Sequence, residues 1–207
     1  MLKLLIFDLD NTLFDTYGQL GVNVLEEMIN RMKKAGLKHE QEKVIRDKYM
    51  QMGFRSLAKQ LGLSEKIKSI GMDTYKSMDL SNISPFDDVN LIKEFKQKKI
   101  LVTSGTEQVQ NEKIRILGIA GLFDEIVVDV LGNCESRVGI FCNILNEYKL
   151  KSKEVMVLGD NAEVEIAAGK KLRMITVQIL RRPFVKGKAD YYVKGLEEVK
   201  EIIKGIK

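Results

Sequence analysis

Tryptophan is absent from the 207 residues, histidine occurs once, and cysteine and proline occur twice each. The single histidine, His39, lies in a polar stretch read as a loop, which sets aside Ser-His-Asp or Cys-His chemistry for this chain. Cys134 and Cys142 are too far apart for a Cys-x-x-Cys pair and too few for a disulfide framework. They read as free thiols that pack in a reducing compartment. No apolar run approaches the roughly 20 residues that a membrane-spanning helix needs. The first residues lead straight into a strand-like segment, so the expectation is a cytoplasmic protein with no membrane partner. A dominant charge is lacking too. The formal net charge of +5 comes from 34 basic and 29 acidic residues spread along the chain. That surplus suits an anionic small molecule, and it lacks the concentrated basic, aromatic-laced patch of a nucleic-acid binder.

What is present is a globular balance of 44% hydrophobic and 30% charged residues. The length accommodates one domain with a sizeable insertion, or two small domains. Short apolar, β-branched runs recur at Leu2–Phe7, Ile100–Thr103, Glu125–Val130, Val155–Leu158, Met174–Leu180 and Tyr191–Val193. Continuous runs of this kind are the mark of parallel strands buried on both faces. Helical patterns separate them at Val89–Lys98, Gln108–Leu117, Val138–Tyr148 and Glu163–Lys171, and Leu196–Ile203 closes the chain. The alternation predicts an α/β fold with a doubly wound parallel sheet.

Residues from about Asp15 to Ser84 break the alternation. Leu20, Val24, Leu25, Met28, Ile29 and Met32 form an amphipathic helical stripe. Glu40–Met52 and Phe54–Leu61 read as two further helices, Ser64 as the N-cap of another, and Gly36, Gly53, Gly62 and Gly71 as punctuation. The expected organisation is a core of residues 1–14 and 85–207 with a helical cap at 15–84.

Ligands of open parallel sheets sit beyond the carboxyl ends of the strands. Three predicted strand ends there carry polar chemistry. Leu4-Leu5-Ile6-Phe7 runs into Asp8 and Asp10, one residue apart. Strand alternation would put both carboxylates on one side, where their repulsion calls for a cation. Ile100-Leu101-Val102 runs into Thr103-Ser104-Gly105, whose hydroxyls and backbone N–H groups suit an oxyanion. Val155-Met156-Val157-Leu158 runs into Gly159-Asp160-Asn161, with Glu165 a helical turn further on. Each has an ordinary explanation as a turn or a helix cap, but their joint occurrence in one sheet does not.

Taken together, Phe7-Asp8-Leu9-Asp10-Asn11-Thr12-Leu13, Val102-Thr103-Ser104-Gly105, Leu158-Gly159-Asp160-Asn161 and Glu165-Ile166-Ala167-Ala168-Gly169 resemble the ordered motifs of the haloacid dehalogenase superfamily, its phosphatase branch in particular. The resemblance spans nearly the whole chain and implies a Rossmann-like core with an inserted α-helical cap that closes over the site. It implies that Asp8 is the nucleophile forming an aspartyl-phosphate and Asp10 the general acid and base. It further implies Mg²⁺ held by Asp8, Asp160 and the Asp10 main-chain carbonyl, with Glu165 and Asn161 supporting the metal's surroundings. Thr103, Ser104 and a basic residue would bind the phosphoryl oxygens. Two departures stand out. The family's third motif supplies a lysine where this chain reads Cys134-Glu135-Ser136-Arg137, so Arg137 is the expected stand-in, with a solvated helix residue as its plain alternative. Glu165 occupies a place commonly held by aspartate.

The implied function is Mg²⁺-dependent hydrolysis of a small soluble phosphomonoester by a monomer or homodimer. Arg55 is a candidate substrate contact, with a solvated helix position as the simpler reading. A phosphotransferase or mutase, a haloacid dehalogenase of the same fold, and a catalytically weak binding protein are the alternatives. Asp10 argues against the dehalogenase, a branch that lacks that second carboxylate.

Overall fold

A computed structural model describes residues 1–49, 54–130, 132–182 and 185–206. Six strands make a wholly parallel sheet: β1 Leu4–Phe7, β2 Lys98–Ser104, β3 Glu125–Asp129, β4 Val155–Gly159, β5 Ile175–Ile179 and β6 Tyr191–Val193, in the order β3-β2-β1-β4-β5-β6. β1 lies centrally, with Ile6 opposite Ile100 on one side and Val157 on the other. The order reverses between β1 and β4, so the switch point, where ligands of such sheets bind, lies beside the carboxyl ends of these two strands.

Within this core unit, which comprises Met1–Asp15 and Ser84–Lys207, helices α5 (Glu107–Ile116), α6 (Cys134–Glu147), α7 (Glu165–Lys171) and α8 (Leu196–Gly205) connect or flank the strands. Leu4, Ile6, Ile100, Val102, Val155 and Val157 form one face and pack under Phe141 and Ile144 of α6 and Ala168 of α7. Side chains of opposite parity point the other way. Phe7 stacks on Phe95 at 6.3 Å between ring centroids and meets Phe123 edge-on at 5.7 Å. The segment expected as a helix at Val89–Lys98 is instead a 3-10 helix at Asp87–Glu94, and β2 already begins at Lys98. Arg181 pins this segment. Its guanidinium donates twice to Asp88 (2.7 and 2.9 Å) and lies over the Phe86 ring, while Asp88 accepts from the Leu196 N–H at the start of α8.

The second unit, Thr16–Ile83, is helical. A π-turn at Tyr17–Gly21 leads into α1 (Val22–Lys34), followed by α2 (His39–Lys48), α3 (Phe54–Gln60) and α4 (Glu65–Lys76). The predicted stripe from Leu20 to Met32 is buried throughout. His39 is not in a loop: it is the first residue of α2. The Met50–Met52 end of the expected second helix, and Gly53, lie outside the described residues. Ser64 caps α4, its hydroxyl accepting from the Ile67 N–H. Gly36 and Gly62 take positive φ at helix ends. Gly71 departs from its expected role as punctuation. It lies inside α4, where a Cβ would collide with the Phe54 ring and crowd the Met32 sulfur, so it is a packing glycine. Arg55 is exposed on α3. Among the described residues no helix is long and apolar enough to cross a membrane.

Candidate active site

β1 ends at Phe7, one residue before the first carboxylate. The Asp8 N–H still donates to the Leu158 carbonyl (2.8 Å), so Asp8 extends the strand line beside β4. The chain then turns. The Leu13 N–H donates to the Leu9 carbonyl at 2.9 Å, and Asn11 takes a left-handed φ of 57°, which asparagine tolerates better than most residues. Regular strand geometry therefore does not carry through Asp10, and the two carboxylates meet different cations while Asp10 still acts on Asp8. Asp8 faces Arg137 of α6, whereas Asp10 faces α5.

Asp8 belongs to a cluster with Asp160 and Glu165, whose candidate ligand oxygens all lie within 4.8 Å of one another. Asp160 follows β4, and Gly159 before it leaves room for Glu165: a Cβ there would strike the Glu165 carboxylate. Burial, then Glu165, push the Asp8 carboxyl well above the usual range, Asp10 adds to this, and Arg137 pulls the other way. Asp160 is raised in the same sense by burial, Glu165, Asp8 and Asp10. Glu165 is raised by burial and drawn back by Arg137 and the Asn161 N–H. Three enclosed carboxyls that oppose one another's ionisation are the donor set a hard divalent cation reverses. All-oxygen donors fit Mg²⁺. Glu165 thus stands among the candidate ligand oxygens themselves, whereas the Asp10 carboxylate is outside the group. The Asn161 side chain is turned to the loop, accepting from the Glu163 and Val164 N–H groups (2.9 and 3.2 Å), and its own N–H is what reaches Glu165.

Arg137 is not a solvated residue. It lies in the first turns of α6, 1% exposed. Asn133 starts that helix in a capping box, its side chain accepting from the Ser136 N–H. The guanidinium is held on every nitrogen: Nε donates to Asp129 (3.2 Å), Nη1 to the Val102 carbonyl (2.9 Å) and Nη2 to Ser104 Oγ (2.6 Å). Nη1 also lies 3.9 Å from Asp8 Oδ1. A buried guanidinium with these partners is a fixed cation beside Asp8, and it orients Ser104. Asp129, 2% exposed at the end of β3, further accepts from Ser136 Oγ and the Gly132 N–H.

Thr103 is fully buried, on the opposite face of β2 from Val102 and Ser104. Its hydroxyl accepts from Gln110 Nε2, which also donates to Asp10 Oδ2 (2.9 Å). Lys113 Nζ contacts Asp10 Oδ1 at 2.6 Å. Gln110, Lys113 and Asp129 were not among the sequence-predicted site residues. The first two had a readable signal. Stepping back four residues from Ile114 and Leu117 lands on Gln110 and Lys113, so polar residues occupy the buried stripe of α5.

These features define a class, a doubly wound α/β hydrolase with carboxylates at the switch point. The chain belongs to the haloacid dehalogenase-like hydrolase family, which matches it over residues 5–179. It is 29% identical over 227 aligned residues to the glyceraldehyde 3-phosphate phosphatase of Methanocaldococcus jannaschii, with 100% of this chain and 99% of the relative covered. A haloacid dehalogenase-like hydrolase from Streptococcus pneumoniae shares the fold with a TM-score of 0.76 at 16% identity, over 98% of both chains. A predicted phosphoglycolate phosphatase from Haemophilus somnus does so with a TM-score of 0.71 at 18% identity, also over 98% of both.

Proposed function

We propose that this enzyme, a phosphoric monoester hydrolase, cleaves small phosphomonoesters through an aspartyl-phosphate on Asp8, with Mg²⁺ as its cofactor. The observation that carries the reading is the difference in partners of the two carboxylates: Asp8 lies with Asp160, Glu165 and Arg137, and Asp10, in the turn after β1, is met by Lys113 of α5. Asp8 attacks phosphorus as the bond to the leaving oxygen breaks, and Asp10 gives that oxygen its proton. Water then attacks the phosphoryl group, Asp10 takes its proton, and the Asp8–phosphorus bond breaks to release inorganic phosphate. Arg137 and the Ser104 hydroxyl it orients hold negative charge as it shifts between oxygens. The buried Thr103 acts behind them by fixing Gln110. Asp8, Asp160 and Glu165, with the Asp10 main-chain carbonyl, would hold Mg²⁺, which supplies charge neutralisation between an anionic nucleophile and an anionic substrate.

Glyceraldehyde 3-phosphate, named for the Methanocaldococcus jannaschii relative, is the first ester to test. We take the protein to act in the cytoplasm as a monomer or homodimer, with no nucleic-acid or membrane partner. The test is phosphate release from a panel of sugar phosphates, triose phosphates, phosphoglycolate and nucleotides, run with Mg²⁺ and with EDTA. The expected result is metal-dependent release that Asp8→Asn abolishes. Equal release by that variant, or activity indifferent to EDTA, contradicts the reading.

A further inference from the structure

The two carboxylates of the site are met by different cations, Asp8 by Arg137 and Asp10 by Lys113. Lys113 is 4% exposed, inside the buried stripe of α5, with its ammonium 2.6 Å from Asp10 Oδ1 and 5.5 Å from the centre of the Phe14 ring. Lysine is almost never buried to this extent without a partner, because removing its charge from water is costly. One turn earlier on the same helix, Gln110 is 1% exposed and donates to the other oxygen, Asp10 Oδ2, at 2.9 Å. Gln110 also donates to Thr103 Oγ1, so the amide is braced against β2. The loop before α5 is shaped to admit it. Gly105 has a φ of +153°, and a Cβ there would press on Gln110 Cγ at 2.9 Å. By contrast, the half-buried Glu112 and the exposed Arg115 of α5 pair with each other, as surface helix residues commonly do.

We propose that Lys113 and Gln110 are positioning residues for the hydrolytic reaction. They hold both oxygens of Asp10, one each, and so fix the plane of the carboxylate that exchanges protons with the leaving oxygen and with water. Arg137 serves the attacking carboxylate and Lys113 the proton-transferring one, and neither replaces the other. This inference rests on the acid–base role given to Asp10 above.

A clamp on the acid affects only substrates whose leaving group needs a proton. The test compares Lys113→Met, which keeps the length of the stem, with the unaltered enzyme on two saturating esters: an alkyl phosphate, with a poorly acidic leaving alcohol, and p-nitrophenyl phosphate, with a strongly acidic one. General acid catalysis contributes about 10²–10⁴-fold, so a misaligned acid is expected to lower kcat on the alkyl ester roughly 10- to 100-fold. On the aryl ester kcat is expected to fall less than about threefold, with KM changed little on either. Lys113→Arg is expected to recover part of the alkyl-ester rate. In an Asp10→Asn background, Lys113→Met is expected to add no further loss. Equal loss on both esters, or no loss on the alkyl ester, overturns the proposal. Asp10→Asn run alongside separates the two levels. Selective loss there with uniform loss in Lys113→Met overturns the clamp alone. Uniform loss in Asp10→Asn overturns the acid–base role, and this inference with it.

Discussion

At the scale of single residues, the site is a division of cations among carboxylates. Arg137 is fastened to Asp129, Val102 and Ser104 before any substrate arrives, so its charge beside Asp8 is preorganised. Lysine in its place offers a point charge with no fork, and it cannot keep three such partners on a planar group. Arg137→Lys is therefore expected to lower kcat about 10- to 100-fold, the scale of removing one oriented oxyanion donor or somewhat less. Arg137→Ala also strips Asp129 of its buried partner, and a broken buried pair costs about 3–5 kcal/mol. Urea unfolding and steady-state kinetics on both variants check the two effects. A solvated Arg137 would change neither. The carboxylates Asp8, Asp10 and Asp160 were legible in the sequence because each follows an apolar run that has no alternative to being a strand. Asp129 was hidden because Asp is ordinary in turns, and Gln110 and Lys113, ordinary in helices, had only their place on the apolar stripe of α5 as a signal. Burial sets all three apart.

At the scale of elements, close approach explains positions that composition does not. Gly71 is an example: glycine inside a helix usually costs about 1 kcal/mol relative to alanine. In α4 the sign reverses, because the Phe54 ring occupies the space a methyl would need. Gly71→Ala is expected to destabilise by about 1–3 kcal/mol, the usual cost of overpacking, read as a lower thermal midpoint. A raised midpoint would show that the ring moves aside freely. The join of β5 and β6 depends on Asp190, which accepts from the Thr176 N–H (2.9 Å), the Thr176 hydroxyl (2.8 Å) and Lys170 (2.5 Å). Burial alone pushes the Asp190 carboxyl up, but Lys170 and Thr176 outweigh it, so the group sits below its usual range. A lowered folded-state pKa means that the unfolded chain, at about 4, takes up protons first. The stabilisation is therefore complete above that value and is lost as pH falls through the folded one. The thermal midpoint of Asp190→Ala is expected to lie below that of the unaltered protein at neutral pH, and the gap to close once pH has fallen through the folded-state value. A gap that persists there would mean that Asp190 acts through packing alone. The elements that sequence periodicity misplaced are the irregular ones. Asp87–Glu94 has apolar residues at helical spacing, yet its 3-10 winding is imposed by the Arg181–Asp88–Leu196 node, built from parts of the chain far apart in sequence.

At the scale of the whole molecule, the parallel sheet followed from the short apolar runs that its strands share. What patterning could not supply is the turn after Phe7. Strand alternation supplies neither the bend at Asn11 nor the contact of Asp10 with Lys113 of α5. Gathering Asp8, Asp160 and Glu165 has a cost, since burial resists the ionisation of all three and Glu165 raises both aspartates. A cation bound there stabilises the folded state by mass action, by about 2.7 kcal/mol at a hundredfold excess over Kd. Mg²⁺ is accordingly expected to raise the thermal midpoint of the unaltered protein and to have little effect on Asp160→Ala. An equal shift in both would place the metal elsewhere. The central claim, that Asp8 carries the phosphoryl group, is tested most directly by rapid acid quench during turnover, followed by mass spectrometry of the peptide containing Asp8. The account predicts a phosphoryl adduct on Asp8 that forms faster than phosphate is released and is missing from Asp8→Asn. Phosphate release with no adduct at any quench time, or an adduct on another side chain, would contradict it.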